Sequence, residues 1–168
     1  FPDSVVHGVT NVQGSSGPFS HIWGIGPFTE AGGNGKVYYK PGLNAVSSVC
    51  SKDRSICPWG WQIIPGGLTQ VSVSGDGNHI LGVNSVGTIF HRAGVLTPTA
   101  SNLWTWITGG GLLLQVSVSG DGKHVWGVNR AGQIFYRPGF NVGATWKTDN
   151  PSGWKLIPGD PLSHVSVN

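Results

Sequence analysis

Apolar and polar residues alternate in short runs along the chain, and Gly- and Pro-rich punctuation separates these runs. No stretch offers helical spacing over about ten residues, so the pattern predicts strands. In the centre, Trp61 to Ile64, Leu68 to Ser74, His79 to Asn84 and Thr88 to Arg92 are rich in aromatic and β-branched residues. Pro-Gly, Gly-Asp-Gly and Ser-Val-Gly bound them, which predicts four short strands and tight turns. In Val71-Ser72-Val73-Ser74 the valines share one side and the serines the other, whereas Thr88 to Arg92 carries apolar bulk on both sides. A strand that is apolar on both faces must be covered on both, which radially stacked four-stranded sheets achieve.

The pattern recurs. LTQVSVSGDGNHILGVNSVGTIFHRAG, from Leu68, and LLQVSVSGDGKHVWGVNRAGQIFYRPG, from Leu113, are two copies about 45 residues apart, a period typical of propeller blades. Trp61-Gln-Ile-Ile-Pro-Gly precedes the first copy, Trp104-Thr-Trp-Ile-Thr-Gly the second, and Trp154-Lys-Leu-Ile-Pro-Gly opens a further cycle. The N-terminal part is a divergent copy: His21-Ile-Trp-Gly matches His124-Val-Trp-Gly, and Gly35 to Gly42 matches Gly132 to Gly139. The expected organisation is a single domain with repeats over 1–60, 61–103, 104–153 and, in part, 154–168. Gly-Asp-Gly suits a hairpin, and the plain reading of Asp76 and Asp121 is turn chemistry.

The combination Trp-x-x-Ile-Pro-Gly, Leu-x-x-Val-Ser-Val, His-x-x-Gly-Val-Asn and Gly-x-Ile-Phe-x-Arg resembles the tectonin repeat of fish-egg lectins and of the horseshoe-crab lectin that binds lipopolysaccharide. The resemblance implies an all-β β-propeller of four-stranded antiparallel blades that recognises glycans. Its expected partners are N-acetylated or O-methylated sugars and bacterial lipopolysaccharide, in a secreted defence or egg-protection agglutinin. Three repeats subtend too little of a circle, so a second chain (a homo-oligomer) or further sequence is expected to complete the ring. The alternative is a structural or protein-interaction propeller that binds no sugar.

Composition narrows the class. The chain has 168 residues with 28 Gly and 11 Pro, as a turn-rich β fold requires. Its net charge of +3 comes from separated Lys and Arg, whereas tracking of nucleic-acid phosphates needs clustered cations. No apolar run is long enough to cross a bilayer as a helix. The chain lacks Met, from which removal of a signal peptide is expected. Cys50 and Cys57 flank a six-residue polar segment, Ser51 to Ile56. A disulfide there would stabilise by about 2–3 kcal/mol; free thiols in a reducing compartment are the alternative.

Candidate chemistry follows the repeat. His21, His79 and His124 share one repeat position, a scaffold pattern, and no nucleophile, zinc or phosphate-loop motif appears, so no enzyme, metal site or cofactor is expected. Sugar binding needs fixed polar groups and an aromatic plate. Asn84 and Asn129 end one strand of each clear repeat, and Arg92 and Arg137, with Lys40 in the first repeat, end the next. Trp23 or Trp126, and Tyr39 or Tyr136, would supply the plate. Each has a structural alternative: strand capping for the asparagines, salt bridging for the cations, core filling for the rings. Trp61, Trp104 and Trp154 read as packing anchors.

Overall fold

The structure, a computed structural model, describes residues 11–14, 22–27, 32–40, 61–93, 104–107, 111–138 and 153–167. All of its regular elements are strands, in three antiparallel four-stranded sheets. The first sheet holds β1 (Asn11–Gly14), β2 (Ile22–Ile25), β3 (Gly35–Lys40) and β4 (Gln62–Leu68) in that order. The second holds β5 (Gln70–Val73), β6 (His79–Val83), β7 (Ile89–Ala93) and β8 (Thr105–Ile107). The third holds β9 (Leu113–Val118), β10 (His124–Asn129), β11 (Ile134–Pro138) and β12 (Lys155–Ile157). Cys50 and Cys57 lie outside the described residues.

The sequence repeat and the sheet are offset by one strand. Trp61 to Ile64 begins the second repeat, yet β4 pairs with β3, Tyr38 opposite Ile63. β8 and β12 likewise pair back onto β7 and β11. Each sheet therefore takes its outer strand from the following repeat, which ties successive repeats together covalently and by hydrogen bonds.

Local chemistry explains the motifs. In the Gly-Asp-Gly turns Ser74 Oγ donates to Asp76 Oδ1 at 2.5 Å and Ser119 Oγ to Asp121 Oδ1 at 2.6 Å, while each serine accepts the N–H of His79 or His124 at 3.0 Å. The bonds from Ser119 and the Lys123 amide hold the Asp121 carboxyl below its ordinary range. Gly77 and Gly122 both sit at φ 71°, where a side chain would be strained. The glycine of His-x-x-Gly answers a different need. A Cβ on Gly82 would lie 2.4 Å from Leu68 Cδ1, and one on Gly127 the same distance from Leu113 Cδ1. Leu68 at the end of β4 and Leu113 at the start of β9 thus close over the bare backbone of β6 and β10.

Two apolar clusters lie between the sheets. Trp23, Ile25, Val37, Tyr39 and Ile64 of the first sheet pack on Val71, Val73 and Ile80 of the second. Leu81, Val83, Ile89 and Ile107 of the second pack on Leu113, Val116, Val118 and Val125 of the third. The valines of each Val-Ser-Val run face backward into these clusters, and the polar residues between them face forward. Gln70 Nε2 donates to Val116 O at 2.9 Å and Gln70 Oε1 accepts from Val116 N at 3.0 Å. Gln115 repeats both bonds with Val165, at 2.7 and 2.9 Å. Ser72 and Ser117 accept from Val118 N and Val167 N, each at 3.1 Å. Residues 163–167 thus lie against β9 as β9 lies against β5. The described sheets do not close into a ring.

Replacing Gln70 by Ala strips two backbone partners from Val116 at a half-buried seam. Denaturant unfolding is expected to show a loss of about 1–3 kcal/mol, and an unchanged midpoint would show that the seam is held by apolar packing alone.

Candidate functional site

One cation–aromatic pair recurs in every sheet, because a cation near the end of the third strand meets the tryptophan that precedes the antiparallel fourth. Lys40 Nζ lies 5.9 Å from the Trp61 ring centre, Arg92 Cζ 5.9 Å from Trp104 and Arg137 Cζ 6.0 Å from Trp154. Both guanidinium groups are buried, and burial lowers their pKa from the ordinary value. Trp104 Nε1 donates to Pro65 O at 3.0 Å, anchoring the second sheet to the end of the first. These groups brace the outer half of each sheet.

The ring pairs lie on the forward faces. Trp23 and Tyr39 are buried with centroids 5.0 Å apart, Trp104 meets Trp23 edge-on at 6.4 Å, and burial pushes the Tyr39 hydroxyl up to about 12. The second sheet closes them off from solvent, so they serve as core. Leu81 and His91 take the same two positions in the second sheet, and His91 Nε2 lies 3.2 Å from His79 Nδ1 in a stacked pair. In the third sheet Trp126 and Tyr136 repeat the first geometry at 4.8 Å, and Tyr136 Oη bonds His124 Nδ1 at 2.7 Å. Trp126 and Tyr136 are only half-buried.

The asparagines hold turns. Asn84 Oδ1 accepts from Thr88 N at 2.8 Å, and Asn129 Oδ1 accepts from Ala131 N and Gln133 N at 3.0 and 2.9 Å. Of the nine residues expected to touch sugar, Asn129 lines an open cleft of about 610 Å³ between the second and third sheets.

Loops from both sheets build this cleft. Ser85, Val86 and Gly87 follow β6, Leu112 to Leu114 lead into β9, and Asn129 to Ala131 follow β10. Leu113 N donates to Gly87 O at 3.0 Å and forms the floor, while Arg130 Nη2 reaches Ser85 O at 3.4 Å. Val86, Leu112 and Leu114 are 63%, 66% and 46% exposed. At the equivalent junction of the first and second sheets the space is taken up differently. There Ser85 N donates to Asn34 Oδ1 at 2.8 Å, and Ser85 Oγ donates to Gly32 O. Sequence reading missed Ser85, Val86, Leu112, Leu114 and Arg130. The available signal was divergence: Ser85 against Arg130, Val86 against Ala131, Gly67 against Leu112 and Thr69 against Leu114 are among the positions where aligned copies disagree.

Among the described residues no three His, Cys, Asp or Glu side chains are grouped to hold a metal ion. Residues 30–168 match the tectonin domain. The chain belongs to the tectonin family. No curated protein matches this tectonin chain. Among solved structures it is similar to the complex of KlAtg21 with the coiled-coil of AgAtg16, at TM-score 0.51 and 11% identity over 76% of this chain and 39% of that one. Human WBSCR16 follows at TM-score 0.42 and 16% identity, over 82% of this chain and 35% of that one. The tectonin chain thus spans well under half the length of either, and the first likeness shows the fold alone.

Burial, followed by the His79 ring beside it, depresses the His91 pKa from 6.5 to about 3. The unfolded chain takes up a proton near pH 6.5 that the fold resists, so stability is complete above that pH and falls as pH drops toward 3. The slope approaches about 1.4 kcal/mol per pH unit. His91→Tyr, the residue that the other two sheets carry at this position, is expected to flatten the dependence between pH 6.5 and 4 in denaturant titrations; an undiminished slope would place its origin elsewhere.

Proposed function

We propose that this tectonin chain is a non-enzymatic glycan-binding protein, with sugar held in the cleft between the second and third sheets. The observation that carries the reading is the union, in one open cleft, of an apolar wall with turn-fixed polar groups. The wall is Val86, Leu112 and Leu114, and the polar groups are Ser85, Asn129 and Arg130. Sugar hydroxyls need donors and acceptors that do not move, and the Asn129 turn is pinned by three hydrogen bonds. An N-acetyl or O-methyl group places its methyl against the leucines. In this reading the cations over Trp61, Trp104 and Trp154 are supports, and Asn129 alone of the expected residues stays in the site. A secreted, defensive role belongs to the same proposal and rests on the family resemblance.

We further propose a closed propeller. Trp126, Ile134, Tyr136 and Ile157 are half-buried on the forward face of the third sheet, at positions whose counterparts Trp23, Val37, Tyr39 and Ile64 are buried under the second. A further blade, from a second copy or from more of the same repeat, would cover them.

A protein-binding reading draws support from Ile63, Trp106 and Leu156, exposed at one equivalent position of each outer strand. Binding of N-acetylated and O-methylated monosaccharides separates the two. Wild type is expected to bind, and Leu112→Asp to bind at least about tenfold more weakly with an unchanged melting temperature, as suits an exposed side chain. Absence of sugar binding by the folded wild type would favour the protein-binding reading.

A further inference from the structure

Three of the seven exposed large apolar side chains among the described residues (Val86, Leu112 and Leu114) line one cleft. The only charged residue lining it is Arg130, and no Asp or Glu lies among its walls. Arg130 is exposed and makes one long contact, at 3.4 Å, with Ser85 O. A guanidinium carries five N–H donors in a planar fork that matches a carboxylate, so most of that fork faces the cleft mouth or solvent. The corresponding junction between the first and second sheets offers no such pairing, since Asn34 bonds Ser85 there and Ser85 itself stands where Arg130 stands. A second cleft, of about 480 Å³ beside Asn34 and Gly67, sets Lys36 with Ile63, Ile64 and Pro65, but its cation is an ammonium without the planar fork of Arg130.

From this juxtaposition we infer that the cleft selects an N-acylated sugar acid, its carboxylate on Arg130 and its acyl methyl against Val86, Leu112 and Leu114. The inference rests on the glycan reading of the same cleft and adds the ligand class. The two recognition elements are independent, because neither the wall nor the guanidinium replaces the other. An acyl group without a carboxylate meets only the wall, and a carboxylate without an acyl group meets only Arg130. Charge also gives the carboxylate contact a salt dependence that the methyl contact lacks.

Four sugars test it by calorimetric titration. N-acetylneuraminic acid carries both groups, N-acetylglucosamine the acyl alone, glucuronic acid the carboxylate alone and glucose neither. The acid with both is expected to bind at least about tenfold tighter than the next best, and to weaken as salt rises. N-acetylmuramic acid, which carries both groups on another skeleton, shows whether the pair of groups or one skeleton is selected. Arg130→Gln, at an exposed position, is expected to abolish the preference for N-acetylneuraminic acid over N-acetylglucosamine and its salt dependence. Equal binding of N-acetylneuraminic acid and N-acetylglucosamine by wild type, or full retention by Arg130→Gln, overturns the inference. If N-acetylglucosamine still binds and Leu112→Asp abolishes it, the glycan reading survives that loss. If the folded protein binds none of the five sugars, both readings fall.

Discussion

A glutamine amide, with a serine hydroxyl two residues on, joins β5 to β9 and β9 to residues 163–167, and the arrangement of the chain follows from it. Gln70 and Gln115 present an N–H and a C=O in the geometry of a peptide group, and each takes both backbone groups of one valine on the strand ahead. At the inner edge β5 and β9 belong to different sheets and share no strand pairing. A side chain that imitates the peptide bridges that gap and satisfies polar groups whose burial would otherwise cost free energy. Because Gln, Val and Ser alternate, the same strand sends its valines backward into an apolar cluster and its polar atoms forward into the seam.

That division of faces decides what each aromatic and cationic residue does. Once the inner edges are joined, the sheet faces meet, and Trp23 with Tyr39, or Leu81 with His91, must fill the space between them. The cation of each third strand is drawn over the tryptophan of the fourth, where the ring face compensates part of its lost hydration. Trp23, Tyr39, Arg92 and Arg137 are thereby buried in the packing. The open cleft lies instead among loops between the second and third sheets, where the copies differ.

The Gly-Asp-Gly turns and the strand-ending asparagines show how closely turn chemistry can be read. Asp76 and Asp121 accept N–H groups of their own turns, as expected, and Asn84 and Asn129, put forward as sugar contacts with strand capping as the alternative, do the same. Rings were harder to place. Trp23 and Trp126 occupy the same repeat position, yet one is buried and the other half-exposed, because the second sheet covers the first and residues 163–167 cover only the inner edge of the third. Identical residues acquire different surroundings from what lies beside them.

Strand positions, turn types, the repeat and the tectonin resemblance were all legible in the chain, since period-two alternation and glycine's access to positive φ are local properties of a few adjacent residues. The grouping of strands was not: Trp61, Trp104 and Trp154 begin repeats but precede the outer strands of the preceding sheets, a pairing set by hydrogen bonds between segments far apart in the chain. The cleft of Ser85, Val86, Leu112, Leu114, Asn129 and Arg130 likewise arises only when two sheets stand side by side. Its walls come from three separate loops, and their proximity is a consequence of how the sheet faces pack.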